Sequence, residues 1–203
     1  MWKKVITLLS LSCLLAAPVS LQAATLNDAH IAIHDFYDRL PDEQKQAILD
    51  PISAMPDELI RLHEKTGGVL YLVGKMPDGH YAPGIKAAGV IGSYDPKTKD
   101  ITVLCRENTE TIVLAHEYGH FLYDSVKDYF DDETKMLLTE LMVLLNNKKS
   151  YNEDETFANV YAEMKNAQAK GIVYQPSETV SAELFCQKYQ IIFDRAEGIV
   201  NNL

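Results

Sequence analysis

His116-Glu117-Tyr118-Gly119-His120 constrains this chain more than any other stretch, because it commits one helical turn to a metal. Residues four apart on an α-helix stand above one another, so His116 and His120 can both offer a ring nitrogen to one ion. Glu117 lies about 100° around the axis from His116. From there its carboxylate reaches a water at the ion's open position without itself binding the ion. The flanking Thr111-Ile112-Val113-Leu114-Ala115 and Phe121-Leu122-Tyr123 are largely apolar, so the motif sits on a buried helix. Asn108 or Thr109 is a plausible N-cap. Two imidazoles and a carboxylate are costly to bury unpartnered, and a metal ion supplies the partner.

A catalytic zinc takes three protein ligands and leaves the fourth position for water. The candidate third ligand is Glu155, in a segment with an acidic start (Glu153, Asp154, Glu155) and apolar residues at helical spacing (Phe157, Val160, Tyr161, Met164). It reads as a second helix, roughly antiparallel to the first. Glu155 points at the motif helix if the Phe157-Ala158 side packs there.

HEYGH followed by Glu155-x-Phe157-Ala158-x-x-Tyr161 resembles the anthrax lethal factor-like zinc metallopeptidases, whose metal helix reads HE-aromatic-GH and whose third ligand opens an E-x-F-A-x-x-aromatic helix. The group includes the catalytic domain of lethal factor and the small secreted Pro-Pro endopeptidases. The resemblance covers roughly residues 67–164 and is specific in the two metal helices. It implies His116, His120 and Glu155 as ligands of one Zn2+ and Glu117 as general base. Two departures stand out. Where the family often has an acid four residues after the third ligand, this chain has Asn159, which can accept a hydrogen bond from an imidazole but adds no charge. Where the family has an oxyanion-stabilising tyrosine, position 148 is Lys. Tyr151 is the nearest phenol and reads either as that donor or as a surface aromatic at a helix start. Tyr161 is the second candidate.

Residues 1–23 read as a signal peptide: Lys3 and Lys4 ahead of an apolar core from Val5 to Ala17, then small residues with cleavage after Ala23. Ser10 sits where a lipobox before Cys13 wants an aliphatic residue. No other run approaches the roughly 18 apolar residues of a membrane span. Residues 24–203 then form the catalytic domain, secreted or periplasmic. A formal charge of −10, more negative once Lys3 and Lys4 leave, argues against nucleic acid or anionic membrane as partner. Cys105 and Cys186 remain after export, either as a disulfide or as two buried thiols.

The expected fold is α+β, a zincin-like single domain with a small mixed sheet packed on the metal helix. Helices are expected over 26–40, 41–49, 56–65, 132–146 and 177–199, besides the two metal helices. Strands are expected over 69–73, 87–94 and 100–106, the last two around an Asp95-Pro96-Lys97-Thr98 turn. Residues 88–94 are a candidate edge for an added substrate strand, although their glycines equally suit a bulge. Among the other histidines, His30 and His34 stand four apart on an expected helix and read as exposed. His63 reads as a helix-surface residue, and His80 as a solvated loop residue. Asp124 reads as a buttress for a ligand or a polar C-terminal turn. The expected function is an exported zinc endopeptidase acting on a peptide or protein. The alternative is a zinc-binding scaffold that recognises a peptide or protein partner without cutting it. Glu117 favours the enzyme, since a purely structural zinc does not need it.

Overall fold

The computed structural model describes residues 31–34, 43, 54–73, 91–104, 112–145, 152–177 and 180–203. Its sheet has four strands: β1 (Ile31–His34), β2 (Leu70–Val73), β3 (Gly92–Tyr94) and β4 (Ile101–Leu104). The order is β1-β2-β4-β3, with β1, β2 and β4 parallel and β3 antiparallel at the edge. Helix α1 (Asp57–Lys65) precedes β2. It ends where Gly67 takes φ +79°, a left-handed value that suits glycine.

Behind the sheet lies α2 (Ile112–Val126), which carries the HEYGH motif and is buried on nearly every side. A helix apolar all round belongs in the interior. Its Leu114, Phe121 and Leu122 join the strand residues Leu70, Leu72, Ile101 and Val103 in one core. Helix α3 (Asp132–Leu145) is followed by α4 (Glu153–Ala169), which packs along α2. The C-terminal segment begins with a helical turn (Ala182–Leu184), loosens into a π-helical stretch (Phe185–Tyr189) and continues as α5 (Gln190–Val200). Phe193 of α5 closes the core against Phe157, with ring centroids 4.9 Å apart.

The expected helix over 26–40 is corrected at its centre, because Ile31–His34 is a strand paired in register with β2. Isoleucines at alternate positions suit that ladder, and the hydrogen-bonding partner lies far along the chain, where local pattern gives no warning. His34 lies on that strand, and His30 lies outside the described residues. The leader, the 41–49 helix apart from Glu43, the loop with His80, Cys105, Asn108, Thr109 and Tyr151 lie outside the described residues. Cys186 is a free, exposed thiol, not a buried one. No helix among the described residues is long and apolar enough to cross a membrane.

Candidate metal centre

The site is built where α2 and α4 touch. Gly119 makes that approach possible: a Cβ there would lie 2.7 Å from Ala158 Cα and 3.1 Å from its carbonyl oxygen. With the two backbones this close, the first turn of α4 lies over the histidines of α2. Asn152 caps α4 by accepting from Glu155 N–H at 2.8 Å, which fixes the turn carrying Glu153, Asp154 and Glu155.

Three donors converge there. His116 Nε2 and His120 Nε2 face each other at 3.0 Å. Glu155 Oε2 lies 3.7 Å from His116 Nε2, and its Oε1 lies 3.7 Å from His120 Nε2. One ligand atom from each residue falls within 4.8 Å of the others, a grouping that can hold a metal ion. Two ring nitrogens turned toward one another and a carboxylate make a donor set suited to one divalent cation.

Hydrogen bonds around the rings reinforce that fit. His120 donates from Nδ1 to Asp154 Oδ1 at 2.7 Å, which leaves the Nε2 lone pair for a cation. Burial pulls the His120 pKa down, but the bond and charge of Asp154, with Glu117 and Glu155, raise it overall. His116 is held down to about 4 by burial and by His120, against an opposing hydrogen bond that its ring donates to Asn159. Asn159 thus reaches the ring expected of it. The acid that the sequence lacks at 159 is present at 154, on the other histidine. Nothing in the sequence marks Asp154 as the partner of His120, because an acid in a first helical turn is explained by the helix dipole alone. Asp154→Asn keeps an acceptor but removes the charge, and zinc affinity should fall about 10–100-fold in a chelator-competition titration.

Glu117 is 5 % exposed and sits under the edge strand. A Cβ on Gly92 would come within 2.5 Å of its Oε1, so any larger residue there would push the carboxyl aside. Burial pushes the carboxyl up to about 8, with His120 opposing and Glu155 and Asp154 adding to the rise. β3, Pro96, Tyr123, Asp124 and Lys127 complete the cleft around these groups.

Two other expectations are corrected, and a third, open between two readings, is decided. Tyr161 is fully buried, its ring against Phe157 and Phe193 with Lys165 Nζ 5.4 Å from its centroid, so it faces the core and cannot serve the cleft. His63 is not a surface residue. It is fully buried, donates from Nε2 to the Lys99 carbonyl at 2.6 Å and packs edge-on against Phe121. Asp124 buttresses neither histidine, but accepts from Tyr94, Lys99 and Lys127.

No protein-family model matches the chain, and no curated protein matches it by sequence. Among solved structures it is similar to a Pro-Pro endopeptidase from Paenibacillus alvei, with a TM-score of 0.57 and 13% identity, over 84% of this chain and 100% of that one. At that identity the likeness concerns architecture: the chain has the small α+β fold of that endopeptidase.

Proposed function

We propose that this chain is an exported zinc-dependent endopeptidase in which His116, His120 and Glu155 hold the metal and Glu117 is the general base. The observation that carries the reading is the convergence of those three donors beside a buried carboxyl. A carboxyl held at 5 % exposure next to such a group, beneath the strand that ends the sheet among the described residues, has no role in a merely structural site. The fold likeness to a Pro-Pro endopeptidase supports a peptidase in the coarse sense.

A divalent zinc at these donors supplies Lewis acidity toward water and toward the scissile carbonyl. Glu117 then takes a proton from the attacking water as the water oxygen bonds to the carbonyl carbon. The same carboxyl passes that proton to the amine nitrogen as the C–N bond breaks. Asp154 and Asn159 keep the two imidazoles oriented throughout. Tyr151 is the proposed oxyanion donor, a role typically worth about 2.7–4 kcal/mol. Tyr94 and Tyr123, the phenols that line the described cleft, are bonded to Asp124 and Glu153.

Incubating residues 24–203 with a mixed peptide library, with and without a chelator, tests the reading. Fragments that disappear with chelator and return with zinc support it. Peptides bound but left intact would favour the scaffold instead.

A further inference from the structure

Strand β3 faces two ways. It pairs with β4 in the register Gly92↔Val103, Ser93↔Thr102 and Tyr94↔Ile101. Leu104 N–H bonds the Ile91 carbonyl at 2.8 Å, and Asp95 N–H bonds the Asp100 carbonyl at 2.9 Å. Bonded and non-bonded pairs alternate along an antiparallel ladder. Ile91, Ser93 and Asp95 therefore turn their backbone groups toward β4, while Gly92 and Tyr94 turn theirs outward. Among the described residues no strand lies on that outer side.

Gly92 and Tyr94 are also the two β3 residues that meet α2. Gly92 rests against Glu117, and the Tyr94 ring lies 6.0 Å edge-on from Phe121. The Tyr94 end is bonded as well as packed. Asp124 Oδ2 accepts from Tyr94 OH at 2.8 Å and from Lys99 Nζ at 2.6 Å, while Oδ1 accepts from Lys127 Nζ at 2.8 Å. Lys99 lies in the β3–β4 turn with φ 65°, and its carbonyl is fixed by buried His63. One carboxylate, one helical turn past His120, thus ties the hairpin that carries the open edge to the helix that carries the candidate base.

We propose that Asp124 is a positioning residue for extended peptides: through Tyr94 and Lys99 it fixes the height and register of the Gly92–Tyr94 edge over Glu117. It thereby sets the binding of a peptide long enough to pair with Tyr94 as an added strand. The inference rests on the peptidase reading and narrows its substrates to chains bound in extended form. Asp124 touches no reacting group, so its loss should act first on the binding of the longer peptides.

The test is a set of peptides sharing one cleaved bond and lengthened residue by residue along β3. For wild type, kcat/KM should rise about tenfold once the peptide reaches Tyr94. In Asp124→Ala that gain should vanish through KM. Asp124→Asn, which still accepts from Tyr94, should keep part of the gain. Tyr94→Phe, which loses only the phenol bond, should lose part of it. Zinc content should be unchanged in all three. An equal loss at every length, or none at any length, would overturn the proposal. Affinity for labelled peptides of the same lengths is measured in parallel on zinc-loaded protein. If wild type binds the longer ones more tightly but cuts none, the peptidase reading fails and the loss of that preference in Asp124→Ala still decides the positioning role. If it binds long and short alike, the positioning role fails.

Discussion

Glu117→Gln should fold, take up zinc and cleave peptides at least about 10²–10⁴ times more slowly than wild type, the range that a positioned general base contributes. Glutamine keeps the shape of the side chain under Gly92 but cannot carry the water's proton. The same substitution should move stability in the opposite direction in metal-free protein. The Glu117 carboxyl is raised from an ordinary 4.5 to about 8 by burial first, with His120 opposing. For a raised carboxyl the folded state holds the proton that the unfolded chain releases. Its contribution is fully present below about pH 4.5 and is lost as pH rises through about 8. Metal-free Glu117→Gln has no such loss, and at pH 9 it should be more stable than metal-free wild type by on the order of 2–4 kcal/mol. Denaturant titrations at pH 5 and pH 9 measure the difference, which should be much smaller at pH 5. Equal peptidase rates in the two proteins would remove Glu117 from the mechanism.

The second large effect is expected at Gly119, which touches no substrate. Alanine there places a methyl 2.7 Å from Ala158 Cα, against backbone that cannot swing aside. Overpacking of this kind costs about 1–3 kcal/mol, partly offset by the ~1 kcal/mol that alanine gains over glycine in a helix. More is lost at the site, because α4 moves out and carries Glu155 and Asp154 away from the histidines. Zinc affinity should fall at least tenfold, since the ligand carboxylate and the His120 partner shift together. Gly198 of α5 is the control: nothing lies within 4 Å of a Cβ there, so Gly198→Ala should stabilise by about 1 kcal/mol and leave zinc binding intact. Parallel thermal melts and zinc titrations of both variants separate the close approach from helix propensity. Unchanged zinc affinity in Gly119→Ala would show that the helix spacing does not set the site.

These two positions also show what a linear chain reveals. His116, Glu117 and His120 are legible because their geometry is local, three residues on one turn. Glu155 is legible because its helix has a clear cap and an apolar face. Asp154 is visible as a residue but not as a partner, since its bond to His120 spans 34 positions. His63 misleads for the same reason: Lys99 and Tyr118, which satisfy it in the interior, lie 36 and 55 positions away. β1 is read as helix because a four-residue strand draws its stability from pairing with β2, not from its own sequence. Tyr161 is different, because six residues at 100° each place it about 120° around the helix from Glu155. Its turn away from the metal follows from arithmetic that the family resemblance obscured.

The central claim is that one zinc is held by His116, His120 and Glu155. Anomalous diffraction at the zinc edge, on crystals of residues 24–203 loaded with one equivalent, tests it most directly. The account predicts a single peak about 2.0–2.2 Å from both Nε2 atoms and from a Glu155 carboxylate oxygen. A peak elsewhere, or one at the histidines with Glu155 turned away, would contradict it.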